Sequence, residues 1–127
     1  MTPTPKARII VADDDLDICE LLEMKLRQSG YDVHTALGGE QALEMIRSVR
    51  PHLVILDIMM PVMSGMDVLR QMRSEPAIAD IPVILMTAKR QENDVDTGFA
   101  LGVVDYIIKP FNLKDLVAQV ESVISGA

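Results

Sequence analysis

Three consecutive aspartates, Asp13, Asp14 and Asp15, directly follow a short apolar run, RIIVA at 8–12. A second run, HLVILD at 52–57, ends on Asp57, and a third, IPVILMT at 81–87, ends on Thr87. A fourth, VDYII at 104–108, is followed by Lys109 and Pro110. Taken singly, each of these residues has an ordinary explanation. Aspartates and threonines cap helices, an aspartate at the end of a strand makes a turn, a lysine is a solvated charge, and a proline ends strand pairing. Taken together, at successive run ends of one short chain, they describe a different chemistry. Carboxylates gathered in one pocket repel each other and need protons or a bound cation. Carboxylates with a backbone carbonyl and waters suit a hard octahedral ion such as Mg²⁺. A lysine and a hydroxyl beside that ion make a socket for an anion. The sum is a phosphoryl site, where positioning and charge neutralisation supply most of the catalysis.

Such a site needs a scaffold that brings the run ends together. Between the apolar runs lie amphipathic segments, which predict helices at about Asp17–Ser29, Gly39–Arg50, from a Ser64 cap onward, Arg90–Leu101 and Leu113–Ile124. In the first, Leu21, Leu22, Lys25 and Leu26 carry the i, i+4 spacing and Gly30 closes it; Pro51 stops the second. Val68, Leu69 and Met72 share a face in the third. Leu116, Val117, Val120, Val123 and Ile124 do so in the last. YDVHTA at 31–36 alternates like an edge strand, whereas 52–57 is nearly continuous in apolar residues, as a strand covered on both faces is. Five strands alternating with five helices imply right-handed crossovers and an α/β parallel sheet coated on both sides. In such sheets the chemistry sits beyond the carboxyl ends of the strands. Those are the run ends noted above.

The composition fits one domain of 127 residues. With 49% hydrophobic residues but only 3% aromatic, the core is aliphatic, and nine methionines help to fill it. A net charge of −7 and no basic stripe argue against a nucleic-acid surface. The single cysteine, Cys19, has no partner for an internal disulfide, no run is long enough to span a membrane, and residues 1–8 lack a secretory signal. The expectation is a cytoplasmic single domain over 1–127, with 1–7 as a flexible tail.

The motifs also carry a family resemblance. VADDD with LDICELL, LVILDIMMPVMSG, VILMTAK and DYIIKPF resemble, in order and spacing, four blocks of the response-regulator receiver domains of two-component signalling. The resemblance runs from Arg8 to about Ile124. It implies a flavodoxin-like, doubly wound (βα)5 fold with strand order 2-1-3-4-5. It implies that Asp57 is the phosphoacceptor, taking a phosphoryl group from a sensor histidine kinase or phosphotransfer protein. Asp14 would then bind Mg²⁺ (or Mn²⁺) directly, Asp13 largely through water, and Met59 through its backbone carbonyl, with Asp57 completing the set. Thr87 and Lys109 would each hold a phosphoryl oxygen. Tyr106 would be the aromatic switch partner of Thr87, and Lys109–Pro110 a candidate cis bond. Met59 and Lys89 would tune dephosphorylation.

The resemblance further implies a switch rather than a turnover enzyme, one that catalyses only its own phosphorylation and dephosphorylation. Its output would be binding by the surface of the fourth helix, fifth strand and fifth helix. Two other classes share parts of the pattern. A haloacid-dehalogenase-type phosphatase would use the Asp13–Asp15 DxD, but it would need a longer chain and leaves Asp57 unexplained. A flavin binder of the same topology would need an uncharged phosphate loop after the first strand. DYIIKPF also looks like the block used by winged-helix transcription regulators for a symmetric, ion-paired dimer. Here Asp105 and Asp115 keep the acidic positions, but Val95, Val104 and Gln119 stand where that pattern has charged residues. The expectation is therefore a monomer before phosphorylation and no ion-paired dimer after it, with Asp105 and Asp115 left without basic partners.

Overall fold

The computed structural model describes residues 7–88 and 100–125. Its elements in chain order are β1 (Arg8–Ala12), α1 (Leu16–Gln28), β2 (Asp32–Ala36), α2 (Gly39–Val49), β3 (Leu53–Asp57), α3 (Gly65–Ser74), β4 (Val83–Thr87), β5 (Asp105–Ile108) and α4 (Leu113–Ile124). All strand pairs are parallel, and the order is β2-β1-β3-β4-β5. Most of the helix expected at 90–101, with Val95 and Lys89, lies outside the described residues. The last helix of the sequence reading is α4.

Strand residues alternate between two cores, as the two-residue side-chain period requires. Ile9, Val11, Leu53, Ile55, Ile84 and Met86 pack with Leu22 and Leu26 of α1 and Leu116 and Val120 of α4. Ile10, Ala12, Val54, Leu56, Val83 and Leu85 pack with Ile46 of α2 and Leu69 and Met72 of α3. The central strand β3 is buried along its whole length, which is why its sequence shows no alternation. On α1 the inward face is Cys19, Leu22 and Leu26, while Leu21, which the spacing also marked, stays partly exposed.

The helix ends follow their residue types. Asp15 caps α1 by accepting from the Asp17 N–H, and Asn112 caps α4 by accepting from Lys114 and Asp115. Ser64 and Asp67 form a reciprocal capping box on α3. Gly30 sits at φ 98°, a conformation that suits the chain turning out of α1 into β2.

Three boundaries differ from the periodicity. Ala7, assigned to the tail, is buried, and its carbonyl accepts from the Asp32 N–H at 2.9 Å. The second helix is left through Arg50 in the left-handed region, φ 50°, one residue before the proline expected to stop it. The fourth strand begins at Val83 rather than Ile81. Pro82 has no N–H to donate, and the Ile81 carbonyl is taken by Arg73 Nη1 at 2.8 Å. Arg73 also bonds the carbonyls of Ala79 and Leu101, tying the α3–β4 connection to the chain entering β5. At the free edge of the sheet, Arg27 Nη2 donates to the carbonyl of Val33 at 2.9 Å.

Candidate phosphoryl and metal site

The order β2-β1-β3-β4-β5 places the ends of β1, β3, β4 and β5 side by side. The register makes this concrete. Ala12 pairs with Leu56, Asp57 with Met86 and Thr87 with Ile108, so each chain runs straight from its last paired residue into the site. Asp13, Asp57 and Thr87 are the polar residues buried among the described ones. Asp14 is exposed, yet one of its carboxylate oxygens lies within 4.8 Å of one from each of Asp13 and Asp57.

Every buried oxygen is aimed. Asp13 accepts from the Asp15 N–H with Oδ1 at 2.9 Å and from Lys109 Nζ with Oδ2 at 2.7 Å. Asp57 accepts from the Met59 N–H with Oδ1 at 3.1 Å and from Lys109 Nζ with Oδ2 at 3.2 Å. Lys109 is itself fixed through its backbone N–H, which donates to the Thr87 carbonyl at 2.8 Å, and its peptide with Pro110 is cis. Tyr106 is half-buried on β5 and packs against the α2–α3 side of the core.

The electrostatics reflect crowding of like charge. Burial and the neighbouring Asp13 charge hold the Asp57 carboxyl above the ordinary carboxylate range, against the pull of the Met59 N–H and Lys109. Burial alone would depress the Lys109 ammonium, but its bonds to Asp13 and the charges of Asp13 and Asp57 outweigh that and raise it. With all groups ionised, three carboxylates face one ammonium among the described residues, leaving two negative charges. A divalent cation on oxygen donors fits that deficit. A soft metal does not. The nearby Cys19 sulfur points at the Asp13 carbonyl, 3.3 Å away, and burial pushes its thiol up to about 11, so it offers no thiolate.

Two contributors were missed by the sequence reading. Cys19, on the inner face of α1, sits under the Asp13 carbonyl and 3.7 Å from that of Ala36. The signal available was a small apolar residue one turn past the aspartate run. Gly65, the first residue of α3, lies against the backbone of Asp57, where a Cβ would collide with the Asp57 carbonyl oxygen; its own N–H closes the loop by donating to Ile58 at 3.1 Å. The dipeptide Ser64–Gly65 shows a cap, but not that contact.

Asp105 has a partner within the chain, and it is neutral rather than basic. Gln119 Nε2 donates to Asp105 Oδ2 at 2.9 Å and to the Tyr106 carbonyl at 3.0 Å, so α4 supplies a neutral partner within the chain.

Known proteins resemble this chain in sequence and in fold. The response regulator receiver domain family matches residues 9–121. The DNA-binding response regulator MtrA of Mycobacterium tuberculosis is 43% identical over 119 residues, covering 94% of this chain and 51% of that protein. The chain thus spans about half the length of the curated relatives it matches. The chemotaxis protein CheY4 of Vibrio cholerae superposes with a TM-score of 0.87 at 28% identity, covering 92% of this chain and 98% of that one. The receiver domain of the Francisella response regulator 1452 gives 0.86 at 28% identity, covering 94% and 97%.

Proposed function

This chain belongs to the response regulator receiver domain family, and from that premise we propose that its switch is thrown at Asp57. The observation that carries the assignment is the convergence of the Asp13, Asp14 and Asp57 carboxylates, with Lys109 bonded to two of them. The Met59 N–H and the Lys109 ammonium hold the two oxygens of Asp57 in a fixed orientation before any donor arrives. An Asp57 oxygen forms a bond to phosphorus as the phosphorus–nitrogen bond of a phosphohistidine breaks, and the departing imidazole takes up a proton. Lys109 offsets the charge that nucleophile and phosphoryl group share, and the Thr87 hydroxyl bonds a phosphoryl oxygen.

Asp13, Asp14, Asp57 and the Met59 backbone carbonyl would hold the metal. The donor chemistry favours Mg²⁺, with Mn²⁺ as a substitute, and bound there it would supply neutralisation of phosphoryl charge. The donor is a sensor histidine kinase or a phosphotransfer protein. The acyl phosphate adds about −2 charge and new acceptor oxygens to the pocket. Thr87 drawn toward them leaves room for the Tyr106 ring, and the surface around β5 and α4 changes its preferred packing. A partner or a downstream domain reads that change. The chain catalyses nothing but its own phosphorylation and dephosphorylation. No described helix is long and apolar enough to cross a membrane, and with a charge of −7 the chain makes no nucleic-acid contact of its own. It works in the cytoplasm, monomeric before phosphorylation.

The test is incubation with acetyl phosphate and Mg²⁺ followed by intact-mass measurement. A single phosphoryl adduct, mapped to Asp57 by borohydride trapping, is expected. Turnover of a phosphomonoester without an adduct would instead favour a phosphatase.

A further inference from the structure

The sulfur-bearing side chains of the described residues fall into two sets. Met60, Met66, Met72 and Met86 are buried in the two cores, and Met45 and Met63 pack half-buried against one of them. Cys19, the single thiol, is 1% exposed, and burial holds its pKa up at about 11, so it offers an oxidant neither access nor a thiolate. Met24 and Met59 remain, at 52% and 67% exposure. Met24 lies within α1, whereas Met59 stands two residues past Asp57. The Met59 N–H donates to Asp57 Oδ1 at 3.1 Å, and the preceding Ile58 N–H is tied to the Met86 carbonyl at 2.9 Å. The backbone from which this thioether springs is therefore fixed against the carboxylate, while the side chain stands largely in solvent. Neither feature requires a methionine, because the bond to Asp57 uses the main chain and the side chain buries little.

We propose that Met59 is a modification site, and that its oxidation to the sulfoxide by hydrogen peroxide shortens the life of the phosphorylated state. The inference rests on the receiver reading above. The thioether sulfur gives a lone pair to one peroxide oxygen, the O–O bond breaks, and the other oxygen leaves with both protons as water. Sulfur is oxidised by two electrons and the peroxide is reduced by two. Unlike a thiol, a thioether needs no deprotonation for this step. The thioether is a weak acceptor that holds no water in place, whereas the sulfoxide oxygen is a strong one. Hydrolysis of the acyl phosphate on Asp57 needs a water in line with the bond that breaks, and a tethered acceptor lowers the entropic cost of placing it. The new oxygen enters on a residue whose backbone is already bonded to Asp57. Oxidant is then read through how long the signal lasts, and reduction of the sulfoxide by a reductase reverses it.

The test treats the chain with hydrogen peroxide until peptide mapping shows the sulfoxide, then phosphorylates it with acetyl phosphate and Mg²⁺. After desalting, loss of the phosphoryl adduct is followed by intact mass. The lifetime should fall about threefold or more, a small part of what a positioned catalytic group can contribute. Methionine sulfoxide reductase should restore it. Met59→Leu, which lacks the sulfur, should give equal lifetimes with and without peroxide, whereas Met24→Leu should keep the full peroxide effect. Met59→Gln, whose amide oxygen stands in for that of the sulfoxide, should be short-lived without peroxide. An unchanged lifetime in chain fully oxidised at Met59 overturns the proposal. So does a peroxide effect that persists in Met59→Leu, or a map in which Met24 is oxidised and Met59 is not. A chain that takes up no phosphoryl group before oxidation overturns the receiver reading instead.

Discussion

The Nζ of Lys109 lies 2.7 Å from Asp13 and 3.2 Å from Asp57, so the ammonium is nearer Asp13 than the proposed acceptor. In this state Lys109 bridges two carboxylates that would otherwise repel across the pocket. A phosphoryl group on Asp57 offers it a stronger acceptor. Lys109→Met should therefore slow phosphorylation by acetyl phosphate on the order of a hundredfold, as loss of a preorganised charge partner does. Lys109→Arg should recover only part of the rate, because a planar fork does not fit a site shaped for a point charge. A stopped-flow rate within twofold of wild type for Lys109→Met would show that the ammonium has no part in the transfer.

Replacing the acceptor separates chemistry from stability. Asp57→Asn should give no phosphoryl adduct by intact mass, since the amide keeps the size but loses the nucleophile. In EDTA the same variant should melt higher than wild type. The Asp57 carboxyl is held above its ordinary range by burial and Asp13, so the native state binds its proton more tightly than the unfolded chain. Wild-type stability in EDTA must then fall as pH rises from the ordinary carboxylate range through that raised value, and Asp57→Asn should flatten the fall. Mg²⁺ should raise the wild-type Tm at neutral pH and do so less in acid, where protons compete for the same oxygens. Calorimetry with and without Mg²⁺ across this range checks all three signs.

The contact between Gly65 and the Asp57 carbonyl makes the start of α3 part of the site. Gly65→Ala should destabilise the fold by about 1–3 kcal/mol, the usual cost of forcing a methyl group into packed structure. Its phosphorylation rate should fall as well, because the collision is with the acceptor's own backbone. Urea unfolding with no change in midpoint would refute the contact.

Much of this was legible in the sequence. Carboxylates at the ends of apolar runs fix a site once the runs are strands of a parallel sheet. The bounds of β1 and of the last helix follow from periodicity alone. What was not legible depends on residues distant in the chain meeting in space. The place of Cys19 one turn past the aspartates marks it as an inner-face residue, but not that its sulfur lies under Asp13. The clamp of Arg73 on four carbonyls, which takes the Ile81 carbonyl ahead of β4, depends on where the chain returns after residue 100. A positive φ at Val62 runs against the residue's own preference, so propensity points the wrong way there.

Phosphoryl lifetime should be long. Hydrolysis of an acyl phosphate needs a water held in line, and Met59, two residues past the acceptor, is apolar and largely exposed, with no group to orient one. Isolated phosphoprotein with Mg²⁺ present should persist for minutes or more. Met59→Asn or Met59→Glu should shorten its life severalfold. Decay of the wild type within seconds, followed by phosphate release, would contradict this.

Asp105 has its hydrogen bonds satisfied by Gln119 and by the Tyr106 N–H within the chain. It is therefore a poor anchor for an ion pair across a two-fold axis, where a charged partner would have to displace the amide. The beryllofluoride-activated chain should remain monomeric by light scattering at micromolar concentration. Gln119→Arg, which restores a charged partner, should favour association. A wild-type dimer that is lost on charge reversal at Asp105 would show that the amide does not protect this face.

The free margin of β2 carries a consequence of another kind. Parallel sheets end in strands whose outward N–H and C=O groups can accept a strand from a neighbouring molecule. Arg27 reaches over from α1 and occupies the outward carbonyl of Val33 through Nη2, which also pairs with Glu23 at 3.4 Å. A strand arriving from solution would have to expel a charged group before its first ladder bond could form. Arg27→Ala should uncover that carbonyl and raise the chain's tendency to associate along the β2 edge, which light scattering on concentrated protein would read.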